Sequence, residues 1–213
     1  MNSKSPRAAA SVWNVPNTLT AMRLTLAIVV FALIPLGCYR AAMAVFLLAA
    51  STDWIDGYWA RKYNQVTQLG RIFDPFVDKI IICGTFIFLS AEPGSGLPAW
   101  MSVVVVGREL LVTALRSFLE QRGADFSASM AGKLKMVFQC AAVVASLMAL
   151  AKSEFGFVQD ASPSQTLWYG SATELPGWLF VGLMAAAWLS VLSTVQSGVG
   201  YILRAAQLLK AQA

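Results

Sequence analysis

Residues 41–91 read AAMAVFLLAASTDWIDGYWARKYNQVTQLGRIFDPFVDKIIICGTFIFLSA, two apolar runs joined by a short polar segment. The runs, about 41–60 and 74–91, are each close to the length that an α-helix needs to cross a bilayer. The polar residues between them, Lys62 to Phe73, include Gly70 and suit a turn. This stretch therefore predicts two membrane helices joined by a turn, with aspartates on both sides of the turn.

The rest of the chain repeats this pattern of long apolar runs. Only 13% of the 213 residues are charged, against about 25% in soluble domains. We therefore predict an all-α membrane protein with six transmembrane helices in one domain, residues 18–213, preceded by an interfacial juxtamembrane segment, residues 1–17. The segment 152–176 is predicted to be an irregular loop. The four further runs are about 19–38, 98–117, 134–151 and 177–203.

Lysine and arginine residues indicate the orientation, because they are enriched in cytoplasmic loops. With the N-terminus inside, Arg40 and Lys152 fall outside. Both termini are therefore predicted to be cytoplasmic, in a multi-pass protein of the inner (cytoplasmic) membrane. The basic residues follow the membrane topology and form no soluble basic face, so no nucleic-acid partner is predicted. The residues on the inside are Lys4, Arg7, Arg61, Lys62, Arg71, Arg116, Arg122, Lys133, Lys135, Arg204 and Lys210.

The second predicted helix carries a polar notch near its cytoplasmic end. Asp53, Asp56, Gly57, Ala60 and Arg61 share an arc of about 140° on this helix. A charge within an apolar span is costly, so such residues are candidates for a function. The two small residues let a ligand approach the helix backbone closely.

The third predicted helix carries a second pair of aspartates. Asp74 and Asp78 are four residues apart and lie about 40° apart around the helix. Pro75 suits a first helical turn, so Asp74 could alternatively be the N-cap of this helix. As the second and third helices are predicted to be antiparallel neighbours, all four aspartates can converge near the cytoplasmic face.

The composition restricts the chemistry of this cluster. The chain has no histidine, which excludes a Ser-His-Asp triad and any His-ligated zinc or haem. Clustered carboxylates repel one another unless cations lie between them, and an oxygen-only ligand set favours two Mg²⁺ or Mn²⁺ ions. Two metal ions, together with Arg61 as a hydrogen-bond donor to a phosphate group, suit a displacement reaction at phosphorus. The alternative, a cation transporter, would spread its carboxylates across the membrane.

The aspartates belong to a longer pattern that is known. Asp53-x-x-Asp56-Gly57-x-x-Ala60-Arg61, eight residues, then Gly70-x-x-x-Asp74-x-x-x-Asp78 is the complete signature of CDP-alcohol phosphotransferases, so the chain resembles that family. The resemblance implies a homodimeric membrane enzyme. It also implies that the four aspartates ligate the metals and that Asp78 is in addition the general base. The implied CDP-binding residues are Gly57, Ala60, Arg61 and Gly70, with Asn17 and Thr20 as further candidates whose alternative role is helix capping.

Several shorter motifs resemble the phosphatidylglycerophosphate synthases within this family. The implied reaction is transfer of the phosphatidyl group from CDP-diacylglycerol to glycerol 3-phosphate, by direct displacement of CMP. Another acceptor, inositol phosphate or serine, is the alternative. The motifs are Asn14-Val15-Pro16-Asn17-Thr18-Leu19-Thr20 with Arg23, Thr52-Asp53-Trp54-Ile55-Asp56-Gly57, Gly107-Arg108-Glu109, Ala114-Leu115-Arg116 and Gly132-Lys133-Leu134-Lys135.

An acceptor that carries a phosphate needs cations to hold it. Arg108, Arg116, Lys133 and Lys135 are the candidates, with ordinary anchoring at the cytoplasmic interface as their alternative role. Glu109, an acid within the fourth apolar run, is predicted to partner a nearby arginine or lysine.

Overall fold

A computed structural model of the protein describes residues 15–63, 68–121, 130–153 and 176–212. The regular structure of these residues is all helical, which confirms the all-α part of the prediction. Residues 1–14 of the predicted interfacial segment 1–17 lie outside the described residues. The same is true of residues 154–175 of the predicted loop 152–176. The helices are α1 (Val15–Leu33), α2 (Tyr39–Tyr63), α3 (Gln68–Ala91), α4 (Ala99–Gln121), α5 (Met130–Ser153) and α6 (Gly177–Gln212).

The first helix ends earlier than its apolar run predicts. α1 stops at Leu33, and a hydrogen-bonded turn follows in which the amide of Cys38 donates to the carbonyl of Leu33 at 3.0 Å. Pro35 disfavours the helical conformation of the residue before it. Gly37 has a φ of 73°, a left-handed conformation typical of the residue that closes a helix. These two residues end the helix within the apolar run.

The helices close into a ring in the order α2, α1, α3, α4, α6 and α5, and α5 returns to α2. α5 also contacts α3 across the ring. Side chains of 0–1% exposure fill the centre, and small residues allow the helices to approach closely. A Cβ atom on Gly84 of α3 would overlap the ring of Phe31 of α1. The largest fully buried side chains include Phe46, Phe86, Leu89, Met101 and Leu147.

The outer surface of the ring is strongly apolar. Val103, Leu110 and Val181 are between 64% and 69% exposed, as expected for side chains that face lipid. By length and composition, two segments among the described residues could each cross a membrane, Leu134–Ala151 and Gly177–Gln207. Shorter apolar segments lie in the other helices, at Thr20–Leu33, Tyr39–Thr52 and Lys79–Ala91.

Candidate functional site

The backbone places the four motif aspartates in two helices. Asp53 and Asp56 lie in the C-terminal half of α2, and Asp74 and Asp78 lie in the N-terminal half of α3. By sequence, the motif stretches of both helices carry charged residues among the apolar ones. The side chains of the four aspartates lie outside the described part of the chain, as do those of Asn17, Ala60, Arg61 and Lys133.

A hydrogen bond at the opposite end shows how α2 and α3 are oriented. The hydroxyl of Tyr39, at the start of α2, donates to Oε2 of Glu92, the residue after α3, at 3.0 Å. The two helices therefore run in opposite directions, as predicted, and the end of α2 and the start of α3 lie at the same end of the ring. Among the described contacts, however, α1 and α5 lie between them, so the prediction that they are neighbours is not confirmed. α1 and α5 both contact α2 and α3. We call the end that holds the motif the site end, and the end that holds Glu92 the far end.

The alternative role of Asp74 as a helix N-cap is wrong. α3 begins at Gln68, so Asp74 is the seventh residue of the helix and lies beyond the first turn. Pro75 is likewise inside the helix, where it removes one backbone donor. The apolar run could not reveal this start, because the six residues before Asp74 are mixed in polarity. A role other than capping is left for Asp74.

A buried carboxylate lies between two cations near the middle of α4. Glu109 of α4 is 5% exposed, and its Oε1 pairs with Nη1 of Arg108 at 3.1 Å and with Nζ of Lys135 of α5. The prediction that Glu109 partners an arginine or lysine is confirmed. Lys135 is itself 8% exposed, which does not fit a simple interfacial anchor. Two cations around one carboxylate leave the group with a net positive charge.

Lys79 of α3 extends this group toward the motif. Its Nζ donates to Oγ1 of Thr113 of α4, whose hydroxyl in turn donates to the backbone carbonyl of Glu109 at 2.6 Å. Because Lys79 directly follows Asp78, the group lies next to the motif along α3. We call Lys79, Arg108, Glu109 and Lys135 the Glu109 cluster.

Arg108 has an unused donor in this cluster. Its side chain is only 9% exposed. Nη1 donates to Glu109, and Nη2 donates to Oγ of Ser197 of α6 at 2.5 Å. Nε is buried and has no hydrogen-bond partner among the described residues. A buried donor left in this way costs about 1–3 kcal/mol, and an anionic oxygen would satisfy it. The cluster is therefore chemically suited to bind a phosphate group.

The structure brings some of the predicted acceptor-binding residues together and separates others. Arg108 and Lys135 meet at Glu109, whereas Arg116 is exposed, eight residues further along α4. Thr20, a predicted CDP-binding residue, is buried as the sixth residue of α1. That position excludes its alternative role as a helix N-cap. Arg23 is also buried, at 2% exposed.

Sequence reasoning missed two residues that take part in these contacts, Lys79 and Ser197. Lys79 is a cation that directly follows a motif aspartate at the start of an apolar segment, and this position could have marked it. Ser197 lies three residues after Thr194, another buried polar residue of α6 that accepts a hydrogen bond from Nε2 of Gln139 at 3.2 Å. Two polar residues on one face of an apolar helix indicate that this face makes polar contacts with a neighbouring helix.

The comparisons with known proteins agree on one family. A family model described as CDP-alcohol phosphatidyltransferase matches residues 13–192. The chain is 36% identical over 153 residues to the CDP-diacylglycerol–glycerol-3-phosphate 3-phosphatidyltransferase of Bacillus subtilis (strain 168), covering 64% of this chain and 78% of the relative. The protein of the same name from Pseudomonas fluorescens is 38% identical over 113 residues, 52% of this chain and 58% of the relative. That of Escherichia coli (strain K12) is 31% identical over 136 residues, 62% and 75% respectively.

Proposed function

Because this chain belongs to the CDP-alcohol phosphatidyltransferase family, we propose that it transfers the phosphatidyl group of CDP-diacylglycerol to glycerol 3-phosphate, giving phosphatidylglycerophosphate and CMP. Relatives named for this reaction support the choice of acceptor. The observation that supports the proposal is the buried, net positive Glu109 cluster, whose Lys79 directly follows Asp78 in α3. A phosphorylated acceptor brings a net negative charge to this cluster, whereas serine is a zwitterion without one.

The setting we propose is the inner (cytoplasmic) membrane. The apolar outer surface of the ring and the excess of lysine and arginine on one side support six transmembrane spans, with both termini and the site end cytoplasmic. Residues 1–17 then form an interfacial segment before the membrane domain, residues 18–213. The proposal includes a homodimer, which is supported by the resemblance to the family.

Two divalent cations, Mg²⁺ or Mn²⁺, are the proposed cofactors, held by Asp53, Asp56, Asp74 and Asp78. The donor set consists of carboxylate oxygens only, which these hard cations prefer. The spacings of three and four residues within regular helices bring each pair to one helix face. When bound, the ions neutralise the charge of the phosphates.

Asp78 is the proposed general base. Its carboxylate accepts the proton of the acceptor hydroxyl as that oxygen attacks the phosphorus that bears the lipid. The bond between this phosphorus and the oxygen of CMP breaks, and CMP leaves with the electron pair. Since the chain has no histidine to activate a nucleophile of its own, direct displacement in a ternary complex is the proposed course.

The remaining site residues are proposed to bind the two substrates. Gly57 and Ala60 admit the nucleotide close to α2, and Arg61 pairs with the pyrophosphate. Gly70, Asn17 and Thr20 complete the CDP-binding set. The acceptor phosphate is bound by Arg108, Arg116, Lys133 and Lys135.

An assay of CMP release with different acceptors tests the function. Purified protein is given CDP-diacylglycerol, Mg²⁺ and one acceptor at a time. We expect rapid release with glycerol 3-phosphate, background release with inositol phosphate or serine, and loss of activity with a chelator that added Mg²⁺ or Mn²⁺ reverses. Faster release with another acceptor would contradict the choice of glycerol 3-phosphate. Cation flux in proteoliposomes without any CMP release would contradict the enzyme class.

A further inference from the structure

Three residues of one stretch of α6 surround Arg108. The hydroxyl of Ser197 accepts a hydrogen bond from Nη2 at 2.5 Å. The ring of Tyr201 lies 5.7 Å from Cζ of the guanidinium, within the range of a cation–π contact. Between them, Gly198 leaves room for the arginine, because a Cβ atom on it would lie 3.2 Å from Cγ of Arg108. We call Ser197, Gly198 and Tyr201 the α6 cradle.

The α6 cradle lies outside the sequence features that indicate the family. The match to the family model ends at residue 192, five residues before Ser197. The aspartate motif lies on α2 and α3. The contact of the cradle with Arg108 therefore raises the question of what α6 contributes to the site.

The contacts of the cradle fix the plane of the guanidinium. Glu109 holds Nη1 on one side, and Ser197 holds Nη2 on the other. Because Nη1 and Nη2 are each held by a different partner, the guanidinium cannot turn to place both on the carboxylate of Glu109. Its remaining N–H donors therefore keep a defined direction. Nε, buried and without a partner among the described residues, is one of these donors. Without Ser197, the second contact is lost and the guanidinium can turn toward Glu109.

We propose that Ser197, with Gly198 and Tyr201, positions Arg108 to bind the phosphate of the acceptor, so that α6 sets the affinity for glycerol 3-phosphate. This inference rests on the proposed function. Ser197 is a positioning residue, since it acts through Arg108. Its loss should weaken acceptor binding and leave the reaction of the bound substrates unchanged.

The test is a comparison of KM and kcat for Ser197→Ala and its controls. Removal of a hydrogen bond to a charged group is expected to raise KM for glycerol 3-phosphate about 10-fold. The values of kcat and of KM for CDP-diacylglycerol should stay within about twofold. Ser197→Thr keeps the hydroxyl and should restore KM. The matched control is Ser190→Ala, because Ser190 is also a buried serine of α6 but donates only to the carbonyl of Ala187 of its own helix, at 2.8 Å.

A second variant covers the case in which Ser197→Ala does not fold. Gly198→Ala keeps the serine and suits a helix, but its Cβ pushes Arg108 aside by a few tenths of an ångström. We expect KM for glycerol 3-phosphate to rise about threefold at unchanged kcat. An unchanged KM in the folded variants, or an equal change in Ser190→Ala, would overturn the positioning role. Wild-type protein without activity toward glycerol 3-phosphate would instead refute the proposed function.

Discussion

Asp78→Asn is expected to abolish turnover while the protein still binds the nucleotide. An asparagine amide cannot accept the proton of the acceptor hydroxyl, and general bases contribute about 10²- to 10⁴-fold to the rate. The same change weakens the carboxylate set, so we expect kcat to fall by at least about 10³-fold. The measurement is CMP release at saturating CDP-diacylglycerol and glycerol 3-phosphate, with nucleotide binding followed by calorimetry.

The matched control for this variant is Glu92→Gln. Glu92 is also an acid adjoining α3, but it lies at the far end, where it accepts a hydrogen bond from Tyr39 that a glutamine can keep. We expect its kcat to stay within about twofold of wild type, because Glu92 lies at the end opposite the motif and its hydrogen bond to Tyr39 is kept. Near-normal activity of Asp78→Asn would refute the assignment of the base. Equal losses in both variants would indicate damage to the fold.

Glu109→Leu is expected to destabilise the protein strongly. The substitution leaves Arg108 and Lys135 as buried cations without their shared carboxylate. Removing one partner of a buried ion pair costs about 3–5 kcal/mol, which corresponds to a melting temperature lower by roughly 10 °C for a chain of this size. Thermal unfolding in detergent, followed by tryptophan fluorescence, measures this change.

A second substitution separates the loss of the ion pair from other damage. Lys135→Met in the Glu109→Leu background removes one uncompensated charge, and replacement of a buried pair by apolar residues is often neutral. We expect the double variant to recover a large part of the lost stability. A double variant less stable than Glu109→Leu would show that the two residues contribute independently. A melting temperature of Glu109→Leu equal to that of Glu92→Leu would contradict the importance of the buried pair.

The sequence predicted the helices because long apolar runs have one stable form in lipid. It did not predict their ends. α6 extends to Gln212, past the apolar run that stops near residue 203, and residues 204–212 are mostly good helix formers. α3 likewise begins before its apolar run, at Gln68. Hydropathy marks the apolar part of a helix, whereas the helix ends depend on local backbone contacts.

Only those features of the site that depend on residues close together in the sequence could be predicted. The spacing of the aspartates follows from the helix period, and a partner for Glu109 follows from the cost of a lone charge in lipid. The contact between Arg108 and Ser197 joins residues 89 positions apart, and no periodicity encodes such a pairing. The burial of Lys135 also depends on how α5 packs against α6 and α3. These features required the tertiary structure.

Transfer of two labels into one product is the most direct test of the central claim. CDP-diacylglycerol labelled at the phosphate next to the lipid is mixed with glycerol 3-phosphate labelled in its carbon atoms, Mg²⁺ and the purified protein. We expect one lipid product that carries both labels, with one CMP released for each molecule formed. Release of CMP without entry of the glycerol label into lipid, or no release of CMP at all, would contradict phosphatidyl transfer to glycerol 3-phosphate.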